Sequence, residues 1–200
     1  MLQKAQSSIA FSGASSASHE RMDAAMRGLW QWALIDPGDR VLDMNCGSGT
    51  LLQALKHKAE CELCGMTPYV DKSRQARSLL PDADILFAFP EDIPWHDEAF
   101  DLVLFTKKSS DEASTYLAFC EALRVLKPGG QFLVATPWYP APIRQFVNRF
   151  VQNGDENVCS DKQQIMHNLE KAGFVNLTWH MTDFGMSVVS GWKERALDNQ

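Results

Sequence analysis

Ten residues carry the strongest chemical signal in the chain: Val41-Leu42-Asp43-Met44-Asn45-Cys46-Gly47-Ser48-Gly49-Thr50. A short apolar run ends in an aspartate, turns through Gly-x-Gly, and enters a segment with Leu51, Leu52 and Leu55 at helical spacing. Chain reversal at the carboxyl end of a buried strand needs residues that accept positive φ and let a ligand approach the backbone. Glycine does both. The N–H groups opening the next helix favour a carboxylate or phosphate there. A dinucleotide fingerprint fits poorly, because G-x-G-x-x-G would need its third glycine where Leu52 stands, which leaves a dehydrogenase the third-ranked reading.

What fits is D-x-G-x-G-x-G, from Asp43 to Gly49, with Asn45 replacing the first glycine. This resembles motif I of the class I S-adenosylmethionine (SAM)-dependent methyltransferases, and three more segments in the same order extend the resemblance. Phe100–Leu104 resembles their fourth strand, and Glu91-Asp92-Ile93-Pro94-Trp95 resembles an acidic-Leu-Pro-aromatic segment. Glu121–Val134, containing Arg124-Val125-Leu126-Lys127-Pro128-Gly129-Gly130, resembles the helix, Pro-Gly-Gly turn and fifth strand of the small-molecule, ubiquinone/menaquinone-biosynthesis branch.

The resemblance spans roughly residues 20 to 192. It implies a Rossmann-like α/β fold, a doubly wound mixed sheet of seven strands in order 3-2-1-4-5-7-6 with strand 7 antiparallel. It also implies SAM as cofactor and methyl transfer to a small-molecule acceptor. Carried over by position, Asp43, Asn45, Cys46, Gly47 and Gly49 would take the methionine end, Thr67 and Pro68 the ribose, and Phe89 and Pro90 the adenine. Thr106, at the end of strand 4, completes that set, while His19, Lys107, Trp138 and Tyr139 would frame the acceptor.

Two positions depart from the family pattern. Thr67 stands where an acid normally accepts both ribose hydroxyls, and Phe89 where an aspartate often accepts from adenine. Charge-assisted bonds of the first kind contribute about 1.5–3 kcal/mol. The alternative function is therefore a non-catalytic relative that binds SAM weakly or not at all and serves as a metabolite- or protein-binding module.

The elements that must position these residues alternate along the chain. Strands are expected at Arg40–Met44, Cys61–Met66, Asp84–Ala88, Leu102–Thr106 and Gln131–Thr136, with helices at about 49–58, 71–80 and 112–126 between them. Nearly unbroken apolar runs at Leu102–Phe105 and Phe132–Ala135 suit parallel strands covered on both faces. Tyr116, Phe119, Cys120 and Leu123 are the expected buried stripe of the third of these helices. An N-terminal helix is expected over His19–Ile35, others near Ile143–Val151 and Ile165–Ala172, and an antiparallel pair over Val175–Met181 and Phe184–Trp192. One domain over residues 19–192 would then lie between a flexible arm, 1–18, and a polar tail, 193–200.

Composition limits the partners. A net charge of −6 argues against a broad nucleic-acid footprint, and no apolar run approaches a membrane span. The first 18 residues have no apolar core of a secretory signal, so the expected location is the cytoplasm. Cys61-Glu62-Leu63-Cys64 has C-x-x-C spacing, but residues three apart on a strand point to opposite faces, so packing is expected rather than a metal or disulfide.

Overall fold

The computed structural model describes residues 29, 31–57, 59–106, 112–137, 162–181 and 186–195. Seven strands form a single sheet in the order β3-β2-β1-β4-β5-β7-β6, as the resemblance implied. They are β1 Arg40–Asp43, β2 Glu62–Thr67, β3 Asp84–Phe87, β4 Phe100–Thr106, β5 Leu126–Pro137, β6 Val175–Met181 and β7 Met186–Trp192. The first five pair in parallel, whereas β7 runs antiparallel to both β5 and β6. Helices α1 Thr50–Lys56, α2 Val70–Leu79, α3 Glu112–Val125 and α4 Lys162–Ala172 follow β1, β2, β4 and β5 in chain order.

The central strands are apolar on both faces because helices cover both. One layer gathers Leu51, Leu52 and Leu55 of α1 with Leu63, Leu102, Leu104 and Leu133. The other gathers Phe119, Ala122 and Val125 of α3 with Phe132, Val103 and Leu169. Aromatic rings lock the second layer: Phe119 meets Phe132 edge-on at 5.7 Å, and Phe132 stacks on Phe174 at 4.9 Å.

The inner face of α3 differs from the expected stripe. Thr115, Ala118, Phe119, Ala122 and Val125 are buried, while Tyr116, Cys120 and Leu123 are only half-buried. Small residues let α3 lie close to the sheet. Tyr116 turns instead towards α4, where the Lys171 ammonium sits 4.4 Å from its ring centre.

Pro128-Gly129-Gly130 is also more than a turn. Pairing jumps from Phe100↔Leu126 to Leu102↔Gln131, so the intervening residues bulge out of the ladder. The bulge is held by Lys193, whose C=O accepts from Gly129 N–H and whose N–H donates to Gly130 C=O, each at 3.0 Å. Sheet contacts thus continue past Trp192 into the residues expected to begin a tail.

Cys61 packs against the α1 layer, and Cys64 lies in the α3 layer, so the pair is split across the sheet as its spacing required. Both are free thiols. Burial pushes Cys64 up to about 11, which leaves little thiolate for metal or redox chemistry near neutral pH.

The chain entering β1 is tied across the sheet. Gln131, buried in β5, donates from Nε2 to Trp32 C=O and accepts at Oε1 from Leu34 N–H, both at 2.9 Å. Trp32 lies flat on His180 of β6, ring centres 3.6 Å apart and planes within 13°. His180 Nε2 reaches Ser190 Oγ at 3.2 Å, and burial pushes the imidazole below its ordinary pKa. A depressed histidine pKa favours the fold in the neutral form. Its contribution is complete above the unfolded value of about 6.5 and is lost as pH falls through the folded pKa. The drop in thermal midpoint from pH 7.5 to 5.5 is therefore expected to be smaller in His180→Phe than in the parent; equal drops would remove His180 from the account.

Candidate functional site

The glycine loop hangs on both strands that flank β1. Met44 N–H donates to Leu104 C=O of β4, and Cys46 N–H to Met66 C=O of β2, each at 2.9 Å. Asp43 is buried, and its Oδ1 accepts from Asn45 N–H at 3.0 Å, closing the turn from within. Gly49 N–H then donates to Cys46 C=O, and Gly49 C=O accepts from Gln53 N–H to open α1.

The two glycines serve different purposes. Gly49 takes φ +86°, and a Cβ there would sit 3.2 Å from Ala76 Cβ, so it allows α2 to approach the loop. Gly47 takes φ +55° with nothing within 4 Å of where its Cβ would be. Its bare side faces open space. Asn45 does not use left-handed backbone, since among the described non-glycine residues only Glu98 and Asn176 have positive φ. Its side chain acts as a tie instead. Asn45 Nδ2 donates to Thr106 C=O at 3.1 Å, bridging the carboxyl ends of β1 and β4.

Three side-chain atoms among the described residues are buried without a hydrogen-bond partner: Asn45 Oδ1, Thr67 Oγ1 and Ser73 Oγ. All three lie at the end of β2 or on the segments that follow β1 and β2. Thr67, the last residue of β2, is fully buried. By strand alternation it shares a face with Leu63, which packs into the α1 layer, and Ser73 lies three residues before Ala76 of that layer. Unpartnered buried polar atoms are costly, about 1–3 kcal/mol each. Asp71, the acid nearest to Thr67 in sequence on this side, is exposed and 3.4 Å from Arg74.

Beyond β3 the chain presents an aromatic ledge. Phe89 is half exposed (53%) and meets Phe87 edge-on at 5.8 Å. Tyr69, which precedes α2, is likewise exposed, and Pro68 and Pro90 are half-buried. Sequence reasoning named Phe89 but missed Phe87, because strand alternation pairs it with buried Ile85. β3 is an edge strand, and its last side chain passes beyond cover. Asp43, Asn45, Cys46, Gly47, Gly49, Thr67, Pro68, Phe89, Pro90 and Thr106 are thus all found at or just after the carboxyl ends of β1 to β4. His19, Lys107, Trp138 and Tyr139 lie outside the described residues.

A cavity of about 950 Å³ opens at the opposite, amino end of the strands, lined in part by Asp39, Asp101, Lys127, Trp192 and Arg195. Size alone does not make it the site. Asp101 there is already held by Lys127 at 2.7 Å and by Arg40 N–H at 2.9 Å, whereas the unpartnered atoms are at the other end.

Residues 42–134 match the methyltransferase-domain family. The match covers just under half of the chain, and this segment is similar in sequence to methyltransferases. Among curated relatives, a probable phthiotriol/phenolphthiotriol dimycocerosates methyltransferase 2 of Mycobacterium ulcerans is 35% identical over 101 residues, covering 49% of this chain and 39% of its own. The chain thus spans well under half of that relative. The ubiquinone/menaquinone biosynthesis C-methyltransferase UbiE of Bartonella tribocorum is 29% identical, over 77% of this chain and 71% of its own. In fold, the chain resembles the putative methyltransferase solved with the Trm112 activator of Haloferax volcanii, with TM-score 0.77 and 17% identity over 92% and 94% of the two chains. Among the described residues, no helix is long and apolar enough to cross a membrane.

Proposed function

We propose that this domain binds SAM at the carboxyl ends of β1 to β4 and passes its methyl group to a small-molecule acceptor. The observation that carries the reading is the open side of Gly47, in a loop braced by the Asn45–Thr106 bridge at the carboxyl ends of β1 and β4. The bare glycine leaves room for a ligand against the loop, and the bridge from Asn45 Nδ2 to Thr106 C=O fixes the loop beside it. The Phe87–Phe89 ledge suits the face of a purine.

When bound, SAM supplies a methyl group already activated by its sulfonium. The chain's own contribution is to align the acceptor and exclude water, which needs no covalent enzyme chemistry. The aromatic ledge holds one end of the ligand, the braced glycine loop the other, and the acceptor approaches over the loop.

Thr67 favours a second reading, a relative of the family that has lost useful SAM binding. Its hydroxyl is buried where a ribose-binding carboxylate would be expected to reach out. Calorimetric titration with SAM and S-adenosylhomocysteine (SAH) separates the two. Low-micromolar dissociation constants are expected if the domain is an enzyme; no heat up to millimolar ligand would overturn the proposal in favour of a binding module for something else.

A further inference from the structure

Arg124, near the end of α3, has every one of its five N–H donors engaged. Nε donates to Glu121 Oε1 at 2.9 Å, and Nη2 to Glu121 Oε2 at 2.7 Å and to Ile93 C=O at 2.9 Å. Nη1 donates to Trp95 C=O at 2.9 Å and to Asp97 Oδ1 at 2.8 Å. Glu121 Oε2 also accepts from Ile93 N–H at 2.9 Å, and the adjacent guanidinium holds its carboxyl below the usual carboxylate range.

One residue of the segment is thus gripped at both its N–H and its C=O. Behind it, Glu98 N–H donates to Arg124 C=O and Ala99 N–H to Val125 C=O, fastening the rest of the segment to the same helix end. Ahead of it, Asp92 N–H donates to Phe89 C=O at 3.0 Å, and the two residues form an isolated bridge. The tight turn that displays Phe89 therefore closes at Asp92, one residue before the Ile93 that Arg124 and Glu121 hold. A half-exposed ring on a surface turn has little packing of its own to fix it.

We infer that Arg124, acting with Glu121, is a positioning residue that fixes the Phe89–Ile93 turn as the shelf for the nucleobase of the methyl donor. This rests on the SAM reading above. The guanidinium touches no ligand; it acts through Ile93. Holding the turn needs a fork of five fixed donors, since a lysine ammonium has three and cannot span two carbonyls and two carboxylates in one plane.

The test is NMR titration of the full chain with SAH, following Phe89 ring protons at the shelf and the Gly47 amide at the other end of the ligand. Arg124→Lys keeps the cation but not the fork; Arg124→Gln removes the charge. In both, SAH affinity is expected to weaken by about tenfold, the scale of losing a base–aromatic stack. At saturation the Gly47 shift should persist while the Phe89 ring shift shrinks. A general loss of structure would instead move both probes together, and that outcome, or unchanged affinity with both shifts intact, overturns the inference. If the parent shows no Gly47 shift with SAH at all, the donor reading itself fails and takes this role with it.

Discussion

Thr67→Asp is expected to destabilise the ligand-free protein by about 3–5 kcal/mol, the scale for a buried charge without a partner. A carboxylate restores the family's residue type at the end of β2, and from sequence alone the change looks harmless. Burial reverses that expectation. Thr67 has no exposed surface, and its hydroxyl finds no hydrogen-bond partner. An aspartate there would be forced to take up a proton or push outward against the α1 layer. Thr67→Val gives the opposite sign: it keeps the shape, removes the unpartnered hydroxyl, and should stabilise by about 1–2 kcal/mol. Chemical denaturation of the three proteins measures both. Saturating SAH should then return more stability to Thr67→Asp than to the parent, because two ribose hydroxyls can satisfy the new carboxylate. An aspartate variant as stable as the parent without ligand would show that the β2 end opens freely to solvent. Weakened SAH binding by the valine variant would show that the threonine hydroxyl already serves the ribose.

The gross fold was legible because it depends on runs of residues. Leu102–Phe105 and Phe132–Ala135 have no polar interruption, and such strands fit only the middle of a doubly covered sheet, where β4 and β5 lie. Cys61 and Cys64 were separable by period alone. What sequence reasoning misread depends on distance rather than pattern. Ranking α3 by hydrophobic bulk favoured Tyr116 and Leu123, whereas the sheet selects Ala118 and Ala122 for close approach. Gln131 reads as a polar break in an apolar strand, yet it satisfies two backbone groups almost a hundred positions away. Arg124 reads as an ordinary basic residue near a helix end. Its partners Ile93, Trp95 and Asp97 lie 31, 29 and 27 positions earlier, and no local signal announces them. The loop from Asp43 to Gly49 was legible as a site, Asn45 included, but what Asn45 does there was not: its side chain forms a bridge to Thr106 that only the packed strands reveal.

Gly47→Val is expected to reduce SAH affinity by at least about 100-fold, or about 2.7 kcal/mol, while leaving the domain folded. The two effects separate because of what surrounds Gly47. Its Cβ position meets no atom of the described residues within 4 Å, so a valine there is expected to obstruct a ligand rather than the fold. The remaining cost is conformational: φ +55° suits glycine, and a β-branched residue in that region loses about 1–2 kcal/mol. That strain alone should lower the thermal midpoint by roughly 2–8 °C for a domain of this size. Gly38 provides the matched control. It takes φ +90°, its Cβ position is equally open, and it lies just before β1, at the other end of the strand from the glycine loop. Gly38→Val should therefore lose comparable stability and bind SAH like the parent. Calorimetry on the pair distinguishes a blocked site from a weakened fold. If the two valine variants bind SAH equally well, no ligand lies against the Gly47 loop, and the methyl-donor site must be sought elsewhere on the sheet.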